Sequence, residues 1–287
     1  MIKLVALDMD GTTLNSDGYI SDVNREMINL AMAKGIHIAI ASGRAYSSLP
    51  GDVLSIPGIE YAIASNGANI YLTTDNECIM RHLLSSTSVE SILSLVNSHK
   101  TEGLLLTYEA FIDGTPYTDS AYYDDPQKFG ATKWAVNYIH NTRTPVGDII
   151  PFIREHIDKL DCIDIVASDS NWTKGFIQIL KDTIADIYVT SSVHNLIEIS
   201  NTNSGKGKAL KHLANYLNID IQDTCGIGDQ DNDLELITTA GYGVAMGNAT
   251  DTVKAAADFV TKSNNEDGVA FALKKIMDET SNLHRPR

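Results

Sequence analysis

At 287 residues the chain can bury one large core or two modest ones, and its hydrophobic (43%) and charged (21%) fractions are ordinary for a soluble globular protein. A formal net charge of −15 argues against a general nucleic-acid or anionic-membrane binder, so an anionic substrate would need a local metal or a few placed cations. Cys78, Cys162 and Cys225 are far apart and form no C-x-x-C, no apolar stretch is long enough to span a bilayer, and a strand beginning almost at Met1 argues against a signal peptide; a soluble cytoplasmic protein is expected.

The first element is the apolar run Leu4–Leu7, a buried strand that delivers Asp8, Asp10 and Gly11 to its carboxyl end. Ligands of open α/β sheets bind at that end. Two unneutralised acids there would be costly, so a cation between them and a metal-assisted phosphoryl site make chemical sense. The competing reading, an Asp-Gly hairpin turn, needs a matching strand directly afterwards, whereas residues 15–21 are polar and then open a helix. That helix starts at the N-cap Ser21, shows Val23, Met27 and Leu30 at helical spacing, and stops at Gly35. A second apolar run, 36–41, completes a βαβ unit and ends in Ser42-Gly43-Arg44. A third strand, Tyr61–Ala64, ends in Ser65-Asn66-Gly67-Ala68. Three successive strands thus deposit Asp8 and Asp10, Ser42 and Arg44, and Asn66 on one edge.

The pattern changes near residue 83. Residues 85–100 read as an amphipathic helix with Val89, Ile92, Leu93 and Val96 on one face. Residues 104–108 and 111–114 read as neighbouring strands, 115–146 is rich in Tyr, Asp and Pro without a clean period, and helical pieces alternate with short strands to residue 191. Residues 84–191 are therefore expected to be an α/β module inserted into a first domain of 1–83 and 192–287. The first pattern is expected to resume with a strand at 195–199, followed by a helix over 205–218 with Ala209, Leu210, Leu213 and Leu217 on its apolar face. A short strand, 224–227, then ends in Gly228-Asp229-Gln230-Asp231-Asn232-Asp233 and feeds another helix.

That second acidic turn can join Asp8 and Asp10 around one hard cation, and magnesium suits a set of carboxylate and carbonyl oxygens completed by water and phosphate. Helix N-capping by Asp229 or Asp231 is the plainer alternative for this turn taken alone. Lys206, in Gly205-Lys206-Gly207 at a helix start, works against the helix dipole and so reads as a lysine that pins a phosphate rather than as a solvated charge. The surrounding residues do not make a nucleotide P-loop, because Ser200 stands where glycine is needed and Gly207 follows the lysine. Ser42 and Gly43 offer a hydroxyl and backbone N–H groups to an oxyanion; Arg44 could reach phosphate or pair with a carboxylate. Gly241-Tyr242-Gly243 lacks the continuation of a dinucleotide fingerprint, and the histidines show no zinc or Ser-His-Asp spacing.

Asp8-x-Asp10-Gly11-Thr12, Ser42-Gly43-Arg44, Lys206 and Gly228-Asp229-x-x-Asn232-Asp233 resemble, in order, the four motifs of the haloacid dehalogenase-like hydrolases. Within them the chain resembles the Cof-type sugar-phosphate phosphatases, through Ser65-Asn66-Gly67-Ala68, residues 243–249 and residues 266–270 as well. Thr13 stands where the family often has Leu, and the approach Asn201-Thr202-Asn203 is polar where relatives often carry proline or an apolar residue. The resemblance implies an α/β fold with a Rossmann-like, doubly wound parallel-sheet core and an inserted, large C2-type α/β cap that chooses the substrate. It implies a Mg2+-dependent phosphatase of small phosphorylated metabolites, sugar phosphates above all. In that reading Asp8 is the nucleophile and Asp10 the general acid/base. Asp8, the Asp10 carbonyl and Asp229 hold magnesium, and Met9 N–H, Ser42, Gly43, Lys206 and Asn232 hold the phosphoryl oxygens. Arg44, Asn66, Gln230 and Asp233 are expected in substrate-contacting or supporting places. The alternatives are a phosphomutase on the same fold and a non-catalytic phosphometabolite sensor; a monomer or weak homodimer is the default assembly.

Overall fold

The computed structural model describes residues 1–282. In chain order the strands are β1 Leu4–Leu7, β2 His37–Ala41, β3 Tyr61–Ala64, β4 Asn69–Leu72 and β5 Cys78–Arg81, then β6 Leu106–Ile112, β7 Thr115–Thr118, β8 Thr144–Pro145, β9 Leu160–Ala167, β10 Ile187–Thr190 and β11 Leu196–Asn201, and finally β12 Thr224–Gly228, β13 Tyr242–Ala245 and β14 Phe259–Val260. Two compact units form. One comprises Met1–Gly43, Leu49–Ile79 and the chain from Gly205 onward, the other Arg44–Ser48 and Met80–Ser204.

The first unit carries an eight-stranded sheet in the order β14-β13-β12-β1-β2-β3-β4-β5. The pairs from β14 to β3 are parallel, and β4 returns antiparallel to β3. All residues of β1 and β3 are buried, as unbroken apolar runs covered on both faces require. β1 lies between β2 and β12, so Asp8 and Asp229 leave neighbouring parallel strands at the same end. The first helix, Asp22–Ala33, is capped by Ser21 as expected, its hydroxyl accepting from the Asn24 N–H at 3.1 Å. Its buried face differs from the expected one. Asn24, Ile28 and Ala31 point inward while Val23 and Leu30 are exposed. The rotation follows from docking on helix Gly268–Asn282, where the Asn24 Oδ1 accepts from the Ala270 N–H at 2.9 Å. A polar residue with a buried backbone partner displaced two aliphatic residues from that face.

The second unit carries a six-stranded sheet, β10-β11-β9-β6-β7-β8, antiparallel from β10 to β7. The two strands expected at 104–108 and 111–114 are one, β6, which turns at Asp113-Gly114 into β7; both turn residues have positive φ. Residues 115–146 resolve into β7, helix Ser120–Asp124, a 3-10 turn, helix Lys133–Thr142 and β8. One sheet face (Tyr108, Ala110, Ile163, Ile165, Ile197, Ile199) packs on Val89, Ile92, Phe176 and Leu180 of helices Ser86–His99 and Ser170–Thr183.

The strand at 196–201 corrects the expected boundary at 191/192. It does not return to the first sheet but pairs antiparallel with β9 and β10. Its residues alternate, Ile197 and Ile199 against Leu196, Glu198 and Ser200, which suits a sheet whose two faces differ and not the unbroken apolar strands of the first unit. No helix among the described residues is long and apolar enough to cross a membrane.

Candidate active site

β1 ends at Leu7, and the next residues form a tight loop that organises itself. The Thr13 hydroxyl and N–H both donate to the Asp8 carbonyl (2.6 and 3.2 Å), and the Leu14 N–H donates to the Met9 carbonyl at 2.9 Å. Gly11 has a φ of 80°, and a Cβ there would overlap the Asp229 carboxylate. Thr12 reaches the same carboxylate from within the loop, its hydroxyl donating to Asp229 Oδ1 at 2.8 Å.

β12 delivers the second acidic turn beside the first. The Asp233 Oδ2 accepts from the N–H groups of Asp229 (2.9 Å) and Gln230 (3.1 Å), closing a capping box. Capping of this turn thus falls to Asp233 and not to Asp229 or Asp231: the Asp229 carboxylate faces the first loop, and Asp231 Oδ1 accepts from the Thr250 hydroxyl. Gln230 Nε2 donates to Asp229 Oδ2 at 3.0 Å, and Asn248 Nδ2 donates to the Gly11 carbonyl at 2.8 Å and to Asp229 Oδ2 at 3.4 Å.

Lys206 joins the two turns. Its side chain is wholly buried, and Nζ lies 2.6 Å from both Asp8 Oδ1 and Asp233 Oδ1. Oxygens of Asp8, Asp229 and Asp233 lie within 4.8 Å of one another, a spacing that could hold a metal ion. The electrostatics fit one. Burial, then the neighbouring Asp233 and Asp229, push the Asp8 carboxyl well above the usual carboxylate range against the pull of Lys206. Burial likewise pushes Asp229 to about 6, although its bonds from Thr12 and Gln230 work the other way. Burial opposes the charge on Lys206, but Asp233 and Asp8 outweigh it and keep the ammonium protonated. Three buried acids around one lysine leave negative charge that a divalent cation would neutralise.

Around this centre the third-strand loop has Ser65, Asn66 and Gly67 all at positive φ, and Asn232 Nδ2 donates to Asn66 Oδ1 at 3.1 Å. Ser42 is buried, but its N–H is engaged in the sheet with the Ile63 carbonyl at 2.9 Å. The expectation that its backbone N–H faces an oxyanion is thereby corrected, and its hydroxyl is the group suited to that task. Met9 is buried, Gly43 half-buried, and Asp10 exposed. Arg44 belongs to the second unit, its guanidinium 4.7 Å from the Tyr138 ring centroid and 3.4 Å from the Ser48 carbonyl. Thr12 and Asn248 are supporting residues whose identity as Asp229 partners no spacing announced.

The sequence profile of one family, the haloacid dehalogenase-like hydrolases, matches residues 5–273. The chain belongs to that family. This haloacid dehalogenase-like hydrolase is 32% identical to the 5-amino-6-(5-phospho-D-ribitylamino)uracil phosphatase YwtE of Bacillus subtilis, over 96% of its own length and 98% of the relative's. Among solved structures, a haloacid dehalogenase-like hydrolase from B. subtilis shares 28% identity at a TM-score of 0.79, with 95% and 99% of the two chains covered. The subclass IIB sugar phosphatase BT4131 shares the fold, with a TM-score of 0.78 at 21% identity and 96% and 99% coverage. As a member of this family the protein is a hydrolase of phosphoric monoesters, and the parallel-sheet α/β core is the family's own.

Proposed function

We propose that this hydrolase is a magnesium-dependent phosphatase of small phosphorylated metabolites, sugar phosphates in particular, working through an aspartyl-phosphate on Asp8. The observation that carries the proposal is the wholly buried Lys206, with Nζ 2.6 Å from Asp8 and Asp233 beside Asp229. Buried acids gathered at the carboxyl ends of β1 and β12 around one lysine suit a site for a polyanion and its counter-cation.

Asp8 would attack phosphorus through a carboxylate oxygen while the ester P–O bond breaks and Asp10 gives its proton to the leaving oxygen. Water would then attack the phosphorus of the acyl phosphate, Asp10 taking a proton from it, which frees inorganic phosphate and restores the Asp8 carboxylate. The exposed Asp10 suits a group that trades protons with a leaving alcohol and with water. Lys206, Asn232, the hydroxyl of Ser42, Gly43 and the Met9 N–H would hold the phosphoryl oxygens, positioning and neutralisation being most of what phosphoryl transfer needs. Asp8, the Asp10 carbonyl and Asp229 would hold magnesium, which supplies charge neutralisation at the transferring group. Asp233 already uses one oxygen on Lys206 and the other on two N–H groups, which favours a supporting place for it. The inserted unit, 80–204, is assigned the choice of substrate, and Cys78, Cys162 and Cys225, none of them in a disulfide, agree with a cytoplasmic setting.

The test is phosphate release from a panel of phosphorylated sugars, nucleotides and cofactors, with magnesium and with chelator, for wild type, Asp8→Asn and Asp10→Asn. Magnesium-dependent release lost in both variants is expected. Release that survives Asp8→Asn would sink the nucleophile assignment, and transfer to a second sugar without net release would replace hydrolysis by a mutase reaction.

A further inference from the structure

Lys206 is the first residue of helix Lys206–Tyr216, and nothing local supports that helix start. The N-cap, Gly205, has no side chain to accept an N–H, the first turn contains no acid, and Lys206 and Lys208 both oppose the dipole. Both missing elements arrive from another part of the chain. The carboxylate of Glu235, on helix Leu234–Thr239, accepts a hydrogen bond from the N–H of Gly207, the second helical position that an N-cap side chain would ordinarily serve. It also places a negative charge at the helix N-terminus, 3.9 Å from Lys208 Nζ.

The glycines on either side of Lys206 are the room this contact requires. Gly205 has a φ of 133°, and a Cβ on it would fall on the Glu235 carboxylate. A Cβ on Gly207 would fall on the Glu235 backbone carbonyl and the Thr239 hydroxyl. Glu235 lies two residues beyond Asp233, whose Oδ1 holds Lys206 Nζ at 2.6 Å. One short segment, 233–235, therefore grips the lysine at its ammonium and the helix at its first turn.

We infer that Glu235 is a positioning residue for Lys206, serving as the N-cap that Gly205 cannot provide and so fixing where the buried ammonium stands. The inference rests on the phosphoryl-binding role proposed for Lys206, and its test separates the two. Glu235→Ala removes acceptor and charge, whereas Glu235→Gln keeps an acceptor for the Gly207 N–H. Two readouts apply: kcat/KM for a simple phosphomonoester with magnesium, and acetylation of Lys206 by acetic anhydride mapped by mass spectrometry on the folded protein. Glu235→Ala is expected to lower kcat/KM about 10-fold, the scale of a lost cap transmitted to a catalytic geometry, and to expose Lys206 to acetylation. Glu235→Gln should stay within about 2-fold of wild type, with Lys206 protected. If Glu235→Ala does not fold, Glu235→Asp takes its place with the same expectation, since its carboxylate ends one methylene short. A protected Lys206 and unchanged kcat/KM in Glu235→Ala, or equal losses in the Ala and Gln variants, would overturn the inference. A wild type without turnover would refute the proposed function, while the acetylation pattern would still decide the role of Glu235.

Discussion

The two units each bury a cluster of three carboxylates with a cation, and the clusters are built differently. In the first unit Asp8, Asp229 and Asp233 stand on turns beyond the ends of β1 and β12, with Lys206 at a helix start between them. In the second, Glu109, Asp164 and Glu198 stand side by side in the middle of β6, β9 and β11, paired in register across the sheet. Arg143 closes on Glu109 there through two bonds of 2.8 and 2.7 Å. Both sets perturb an acid in the same direction, since burial, then Glu198 and Glu109, push Asp164 up much as burial and Asp233 push Asp8 up. A perturbed buried acid is therefore no mark of an active site by itself. What separates the clusters is placement. Turns at strand ends can meet a ligand and adjust to it, whereas carboxylates mid-strand are held in place by the ladder, and the bidentate guanidinium of Arg143 serves Glu109.

The largest effects should come from removing either cation. Arg143→Met leaves Glu109 buried and uncompensated, and Lys206→Met does the same to Asp8 and Asp233; each is expected to cost about 3–5 kcal/mol, read from thermal or denaturant unfolding. Magnesium should then tell the clusters apart. Its stabilising effect is expected to be larger in Lys206→Met than in wild type and unchanged in Arg143→Met. An enlarged magnesium effect in Arg143→Met would break the comparison. Arg143→Lys sharpens it, because a lysine keeps the charge but not the fork; a loss of about 1.5–3 kcal/mol is expected, again by unfolding. Thr12→Val removes the hydroxyl that donates to Asp229 and should raise the Asp229 pKa above about 6 and weaken magnesium binding about 10-fold by calorimetric titration.

The smallest expected effect is on pH dependence in the second unit. The folded-state pKa of Asp164 lies above its unfolded value, so the folded form binds the proton more tightly. The stability attached to this group is full below the unfolded pKa and is lost as pH rises through the folded one. Asp164→Asn should remove that loss, flattening the fall in melting temperature as pH rises above the usual carboxylate range and raising it there by about 3 °C. A variant whose melting profile keeps the wild-type slope would show that Asp164 is not the titrating group.

Much of the first unit was legible because its signals are local. Unbroken apolar runs announce strands covered on both faces, and acids or a serine and glycine directly after them announce what stands at the sheet edge. That local grammar yielded β1, β2, β3 and β12 and the residues Asp8, Lys206, Asp229 and Asp233 that the fold assembles. β4 and β5 lie outside that grammar, since residues 65–83 carry no strong period and β4 follows a left-handed turn at Ser65 to Gly67. β11 alternates Ile197 and Ile199 with Glu198 and Ser200, a pattern of period two that belongs to a sheet with two unlike faces, and antiparallel pairing with β9 explains it.

The amino-acid order by itself determined which residues are the candidates for the chemistry and which strands bring them to one edge, because a strand's length and its following turn are properties of a few consecutive residues. Only the tertiary structure decided partnership: that Asn24 rather than Val23 faces inward, that Thr12 and Asn248 hold Asp229, that Arg44 lies against Tyr138, and that Glu235 stands at the head of the Lys206 helix. Each of those contacts joins residues far apart in the chain or rotates a helix by a fraction of a turn. Such contacts depend on packing shape and on the hydrogen-bond needs of buried groups, which no spacing along the sequence records.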